Sequence, residues 1–143
     1  MPSSADTLPS LNAVIETAIY VADLERARRF YEAVLGLEAM FHDERVAAYP
    51  IGPSVFLLFQ KGTTDQPAHP HGGLIPPHDG HGRLHFAFSV SASALETWRM
   101  RLTAQGVEIE GEVKWPKGGH SLYFRDPDGN LAELVTPGIW ANY

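Results

Sequence analysis

The two halves of this chain repeat one order of elements, and that repetition limits the possible folds more than any other feature. Residues 11–62 run from a β-branched strand through an amphipathic segment to three short strand patterns, and residues 83–137 run through the same order. A chain of 143 residues suits one compact unit with a shared core. We therefore predict an α+β fold built from tandem βαβββ modules.

In the first module, alternate residues of the opening strand form an apolar, largely β-branched face, made by Ile15, Thr17, Ile19 and Val21. Glu16 lies on the opposite face. Asp23 is expected to cap a helix that runs to about Leu35, and Gly36 is expected to end it. Breaks at Asp43-Glu44 and at Pro50 to Pro53 then separate three short predicted strands, at residues 38–42, 45–49 and 54–60.

The second module opens with a strand whose apolar face is made by Leu84, Phe86, Phe88 and Val90. Ser93 and Glu96 have the spacing of a capping box, which predicts a helix with Leu95, Trp98 and Leu102 facing inward. A further strand is predicted over residues 107–113.

The module closes with the stretch SLYFRDPDGNLAELVT, residues 121–136, which is typical of a β-hairpin. Its centre, residues 126–129, has Asp, Pro and Gly where a tight turn favours them. The return strand carries one carboxylate, Glu133, between apolar neighbours. Because desolvating an ionised carboxylate is costly, Glu133 should have a partner.

Three segments lie outside the modules. Residues 1–10 are rich in Pro and Ser and are predicted to be a disordered leader. Residues 63–82 are rich in Pro, Gly and His, and we interpret them as a connector or lid with solvated histidines (His69, His71, His78 and His81) in preference to a metal site. In the tail, residues 138–143, Trp140 and Tyr143 are expected to dock on the fold or on a second subunit.

The composition excludes several classes of function. A net charge of −6 without a run of Lys or Arg argues against a nucleic-acid partner. The sequence contains neither an apolar run long enough for a bilayer nor a signal segment, which predicts a cytoplasmic protein with no membrane partner. Because cysteine is absent, any metal must be bound by His, Asp, Glu or backbone oxygens.

Superposing the two modules identifies candidate ligands. Glu16 and His85 each lie five residues before the end of the opening strand, and aligning the closing strands sets Leu57 opposite Glu133. Three ligand-type side chains converging on a strand-lined cavity would form an open site for one divalent metal, with positions left for water or substrate. Two carboxylates and one imidazole suit Mn²⁺, Fe²⁺, Zn²⁺, Co²⁺ or Ni²⁺ alike.

The stretches YVADLERARRFYEAVLGL, HFAFSV and SLYFRDPDGNLAEL resemble the vicinal oxygen chelate superfamily, which includes glyoxalase I, fosfomycin-resistance proteins, extradiol dioxygenases and bleomycin-binding proteins. The resemblance covers residues 11–137. It implies paired βαβββ modules whose curled mixed sheets surround a central cavity with a metal, often in homodimers that complete the sites. The superfamily's ligand positions fall on Glu16, His85 and Glu133, and the tyrosine that reaches the substrate's oxyanion in fosfomycin-resistance relatives falls on Tyr123.

The resemblance leaves the reaction open. Glyoxalase I sites usually have four protein ligands, and Leu57 cannot be one. Extradiol dioxygenases and fosfomycin-resistance proteins have His where this chain has Glu16.

Our first hypothesis is a metal-dependent enzyme whose cation stabilises an oxyanion on a small substrate, with lyase, isomerase, transferase and dioxygenase chemistry all open. Glu16 or Glu133 would act as the general base. The candidate residues of the substrate wall are Tyr123, Tyr20, Arg83 and Ser89. The alternative hypothesis is a metal-free protein that binds a small molecule, as the bleomycin binders do.

Overall fold

The computed structural model describes residues 7–143, so most of the predicted disordered leader lies outside the described residues. The first module contains β1 (Glu16–Val21), α1 (Leu24–Val34), β2 (Phe41–His42), β3 (Val46–Ile51) and β4 (Ser54–Gln60). The second contains β5 (His85–Ser89), α2 (Leu95–Ala104), β6 (Gly111–Lys114), β7 (His120–Arg125) and β8 (Leu131–Val135). Within residues 7–143, neither helix is both long and apolar enough to cross a membrane.

Each module forms one four-stranded mixed sheet, in the orders β1-β4-β3-β2 and β5-β8-β7-β6. The first and last strands of each module pair in parallel, and the remaining neighbours pair antiparallel. The opening strand of each module is therefore an edge of its sheet. The predicted α+β fold of tandem βαβββ modules is confirmed.

The two helices begin differently. The Asp23 side chain accepts a hydrogen bond from the backbone N–H of Arg26 and caps α1, as predicted. The capping box proposed for α2 is wrong, because the 3-10 turn Ala92–Ala94 runs directly into this helix. Ser93 therefore lies inside a turn, without the extended backbone that an N-cap needs, and its hydroxyl contacts that of Ser91 at 3.2 Å.

Two strands are shorter than predicted. β2 pairs only Phe41 and His42 with β3, so the prediction of a strand over residues 38–42 was too long. The predicted strand over residues 107–113 begins only at Gly111, because the Val107 N–H is still bonded to the Leu102 carbonyl at the end of α2. Both strands lie at the outer edges of their sheets.

A single hydrophobic core joins the helix-side faces of both sheets. Tyr31 of α1 packs on Phe56 of the first sheet, with ring centroids 5.1 Å apart, and Phe56 packs on Phe86 of the second sheet at 5.0 Å. Since successive strand residues point to opposite faces, the other face of each sheet points away from this core. Those outward faces carry Glu16 and Glu133.

The hairpin turn also joins the modules. Gly129 adopts a positive φ of 81°, which favours glycine, and its N–H bonds to the Asp126 carbonyl at 3.0 Å. The Asp126 carboxylate is buried and accepts hydrogen bonds from the backbone N–H groups of Asp128 and Asn130 and from the Tyr31 hydroxyl, the last at 2.7 Å. The Asp128 carboxylate accepts a further bond from the Ala22 N–H, at 2.9 Å. The turn is thus bonded to the β1–α1 connection, through Ala22, and to α1 itself, through Tyr31.

Tyr31 leads to a prediction about alkaline pH. Burial, followed by the charge of Asp126, raises the pKa of the Tyr31 phenol well above its ordinary value of 10.0. The folded state therefore keeps a proton that the unfolded chain releases above that pH, so stability that is complete below pH 10 is lost as the pH rises, by about 1.4 kcal/mol per pH unit. In urea titrations between about pH 8 and about pH 11, Tyr31→Phe should show a shallower loss than the wild type. Tyr143→Phe is the control, and equal slopes for wild type and Tyr31→Phe would contradict the prediction.

The connector is more ordered than its composition suggested. Thr64 and His78 exchange two hydrogen bonds, at 2.9 and 2.5 Å, and Ala68 bridges to Ile75. His78 packs on Phe59 of β4, with ring centroids 4.9 Å apart. The prediction of solvated histidines is therefore wrong for His78, although His69, His71 and His81 are exposed.

The tail docks on the fold through Tyr143, whose hydroxyl donates to the Val135 carbonyl at 2.9 Å. Trp140 stays 65% exposed. The docking predicted for the tail is thus confirmed for Tyr143 within the single chain, and Trp140 has no such contact among the described residues.

Candidate metal centre

His85 and Glu133 meet on the outward face of the second sheet. β5 and β8 run parallel with Ala87 opposite Glu133 and His85 opposite Leu131, so the two side chains are diagonal neighbours on one face. His85 Nε2 lies 3.2 Å from Glu133 Oε1. The His85 imidazole is therefore one of the partners that were predicted for the Glu133 carboxylate.

A backbone contact fixes the tautomer of a neutral His85. Its Nδ1 lies 2.9 Å from the carbonyl oxygen of Leu131. A carbonyl only accepts, so Nδ1 carries a proton and donates it. In the neutral imidazole the Nε2 lone pair is then free and faces Glu133. This is the tautomer that binds metals through Nε2.

Glu133 is held from its other side. The residue is only 6% exposed, and its Oε2 accepts a 2.6 Å hydrogen bond from the Ser121 hydroxyl. Ser121 in turn accepts from the indole N–H of Trp115 at 2.8 Å. With Oε2 occupied, Oε1 is the oxygen that faces His85.

Tyr123 stands beside this pair, with its ring centroid 6.3 Å from that of His85. Burial, together with the negative charge of Glu133, raises the pKa of Tyr123. The phenol therefore stays protonated at neutral pH and can donate a hydrogen bond. Of the four residues predicted for the substrate wall, Tyr123 is the one whose ring lies beside the His85 imidazole.

The spacing of the pair suits a cation. A neutral imidazole nitrogen and a carboxylate oxygen are both acceptors, so at 3.2 Å a proton or a metal ion must lie between them. Two atoms bonded to one metal at about 2.1 Å lie about 3.0 Å apart at a right angle and about 3.4 Å apart at the tetrahedral angle. The observed distance falls between these two values, so the residues fit a divalent metal.

Glu16 lies elsewhere in the chain. It is the exposed first residue of β1, at the edge of the first sheet. Among residues 7–143, no three His, Asp or Glu side chains come close enough together to hold a metal ion. One copy of the chain therefore brings together two of the three predicted ligands, His85 and Glu133.

The strand registers nevertheless agree with the predicted superposition of the modules. Glu16 begins β1 as His85 begins β5, and Leu57 lies opposite Ala18 as Glu133 lies opposite Ala87. Glu16 and His85 thus occupy equivalent positions in the two sheets. The first sheet has Leu57 at the position where the second has Glu133.

The other predicted substrate residues are dispersed. Tyr20 belongs to the first sheet, where its hydroxyl bonds to His78 Nδ1 at 2.6 Å. Ser89 is exposed at the far end of β5, in a cleft of about 910 Å³ between the modules. Arg83 is exposed and its side chain lies over Gly129. Ser89 lies opposite Val135 and two residues from Ala87, so it shares the face of His85 and is a second diagonal neighbour of Glu133.

Sequence reasoning missed Ser121 and Trp115. The hairpin pattern already placed Ser121 and Glu133 on one face of adjacent strands, which was a usable signal for a donor to Glu133. Trp115 precedes β7 in a turn, and nothing in the residue pattern gives the direction of its indole.

A sequence model of the glyoxalase/bleomycin resistance protein/dioxygenase superfamily matches residues 13–134. The chain belongs to this superfamily. The resemblance of the three sequence stretches is thereby confirmed.

Two curated superfamily members illustrate the relationship. Metallothiol transferase FosB from Shouchella clausii is 27% identical over 128 residues, which cover 88% of this chain and 81% of that protein. Glutathione transferase FosA from Serratia marcescens is 29% identical over 127 residues, covering 89% and 80% respectively. Both similarities extend across both modules.

Among solved superfamily structures, the lactoylglutathione lyase from Agrobacterium tumefaciens is similar to this chain with a TM-score of 0.84. It is 30% identical, and the match covers 93% of this chain and 99% of that one. The superfamily fold therefore accounts for nearly the whole chain, including the strands that carry His85, Glu133 and Glu16.

Proposed function

We propose that this protein is a divalent-metal-dependent enzyme that acts on a small, oxygen-rich substrate. The observation that supports this proposal most directly is the 3.2 Å distance between His85 Nε2 and Glu133 Oε1, on a sheet face that points away from the core. A buried carboxylate beside a lone-pair nitrogen needs a cation. A metal bound there would supply Lewis acidity to a substrate oxygen.

The third ligand is proposed to be Glu16 of a second copy of the chain. Glu16 lies on an exposed sheet edge, and its outward face is separated by the shared core from the face that carries His85. A two-fold symmetric dimer that sets β1 of one copy beside β5 of the other would bring Glu16 to His85 and Glu133 twice. The module repeat supports this arrangement, because Glu16 and His85 hold equivalent positions.

The residues suit different tasks. Glu133 is buried and fixed by Ser121, which favours a ligand role. Glu16 is exposed at a strand end, so it can leave the metal and accept a proton from the substrate. Tyr123 keeps its proton and can donate a hydrogen bond to a developing oxyanion beside His85.

The names of the relatives narrow the substrate class. Metallothiol transferase, glutathione transferase and lactoylglutathione lyase all refer to a thiol or to a derivative of one. We propose a thiol-linked substrate or a thiol co-substrate for this protein as well. Activity screens should therefore offer glutathione adducts of small aldehydes, and small electrophiles together with a free thiol.

Metal binding provides the test. Protein freed of metal should be stabilised by Zn²⁺, by about 2.7 kcal/mol at one hundred times Kd, and His85→Ala should lose most of this gain. His69→Ala, which changes an exposed histidine of the connector, is the matched control and should behave as wild type. Thermal melting with and without Zn²⁺ measures the difference. A wild-type protein that Zn²⁺ and Mn²⁺ leave unchanged would overturn the enzyme proposal and favour the metal-free binder.

A further inference from the structure

We propose that Trp115 and Ser121 are positioning residues that hold Glu133 so that it binds the metal through one oxygen only. This inference rests on the proposed function, because it assumes that His85 and Glu133 bind a divalent cation. Its observation is separate: a chain of two hydrogen bonds, from the indole N–H of Trp115 to Ser121 Oγ at 2.8 Å and from Ser121 Oγ to Glu133 Oε2 at 2.6 Å.

The direction of each proton follows from the donor inventory. An indole N–H can only donate, so Ser121 Oγ uses a lone pair to accept it. The one proton of the hydroxyl is then free to point at Glu133 Oε2. Ser121 is fully buried and Glu133 nearly so, which leaves little room for water to replace either bond.

The anchor of the chain is itself fixed. Trp115 lies in the turn between β6 and β7. Its backbone N–H donates to the Gly119 carbonyl at 2.7 Å, and its backbone carbonyl accepts from the Gly118 N–H at 3.0 Å. Its backbone is therefore held at two points. Trp115 holds the Ser121 hydroxyl, and the hydroxyl holds Oε2 of Glu133. The Glu133 carboxylate therefore resists rotation about its last side-chain torsion.

The consequence is a constraint on the metal. With Oε2 committed to Ser121, only Oε1 is turned toward His85. One-oxygen binding suits small cations, whereas Ca²⁺ often takes both oxygens of a carboxylate and more ligands in total. The Trp115–Ser121 chain should thus favour Zn²⁺ over Ca²⁺. Removing these hydrogen bonds should weaken Zn²⁺ binding and lower the preference for Zn²⁺ over Ca²⁺.

The test compares wild type, Ser121→Ala and Trp115→Phe in calorimetric titrations with Zn²⁺ and with Ca²⁺. Circular dichroism first checks that each protein is folded. Ser121→Ala should raise the Kd for Zn²⁺ by about 10- to 100-fold, the range seen for lost outer partners of metal ligands, and should lower the Zn²⁺/Ca²⁺ affinity ratio. Trp115→Phe keeps an aromatic side chain but loses the indole N–H, and should move both quantities in the same direction by less. Trp140→Phe changes an exposed tryptophan and should leave both unchanged.

Fluorescence adds a readout that does not depend on affinity. Zn²⁺ binding should change the tryptophan emission of wild type and of Trp140→Phe, and this change should vanish in Trp115→Phe. If wild type binds Zn²⁺ but Ser121→Ala binds it with the same Kd and the same Zn²⁺/Ca²⁺ ratio, the positioning role is overturned and the proposed function stands. If wild type itself binds no Zn²⁺, the proposed function fails and this inference falls with it.

Discussion

A mixture of two site-deficient variants, Glu16→Ala and Glu133→Ala, should regain about a quarter of the wild-type metal sites after joint refolding. Each variant alone lacks one ligand in every site. In a mixed pair of the proposed two-fold dimer, the intact Glu16 of one copy would meet the intact His85 and Glu133 of the other, so one of two sites is whole. Half of the dimers formed from equal amounts are mixed, which gives the quarter.

The matched control is a mixture of His85→Ala with Glu133→Ala. Both changes lie on the second module, so no pairing of copies restores a complete set and the mixture should stay without sites. Zn²⁺ bound per chain after gel filtration measures both mixtures. If the first mixture regains nothing although Glu16→Ala alone is deficient, the ligands belong to one copy and the shared site is wrong.

The parts of this molecule that could be predicted from sequence are those that short-range geometry determines. Side chains alternate along a strand, so the outward positions of Glu16, His85 and Glu133 followed from the apolar residues between them. The turn at residues 126–129 set the hairpin register, because Asp, Pro and Gly each favour a particular turn position. The module repeat then predicted that Leu57 and Glu133 occupy equivalent positions in their two sheets.

The parts that could not be predicted depend on how elements meet in space. The chain length indicated a shared core, but the residue pattern does not say how the two outward faces are placed around it, and in one chain Glu16 does not join His85 and Glu133. The position of His78 on Phe59 depends on the path of a long connector. The Trp115 indole depends on a turn whose direction no periodicity encodes.

The capping box predicted for α2 was wrong for a related reason, because it also depends on the backbone conformation in space. Ser93 and Glu96 satisfy the spacing of a capping box, but the 3-10 turn at Ala92–Ala94 had already brought the backbone into a helical conformation. A cap requires extended backbone at its first residue. Spacing alone cannot distinguish the two cases, whereas Asp23 succeeded because its backbone is extended.

The largest expected loss of stability comes from Asp126→Ala, at about 4 kcal/mol of the free energy of unfolding. The residue Asp126 is 5% exposed, and its carboxylate accepts bonds from the backbone N–H groups of Asp128 and Asn130, the Asn130 side-chain amide and the Tyr31 hydroxyl. Removing it leaves these buried donors without an acceptor, at about 1–3 kcal/mol for each one that cannot relax. Since domains are stable by about 5–15 kcal/mol, this loss is a large share.

The variants should rank in a definite order in urea unfolding. Tyr31→Phe removes one donor but leaves the carboxylate its other three bonds, so it should cost about 1.5–2 kcal/mol. Asp65→Ala, at an exposed position of the connector, should cost less than about 0.5 kcal/mol. An Asp126→Ala variant that loses no more than Tyr31→Phe would show that water replaces the missing acceptor. The turn would then hold its place between the modules by packing, and not by the carboxylate that links its backbone to α1.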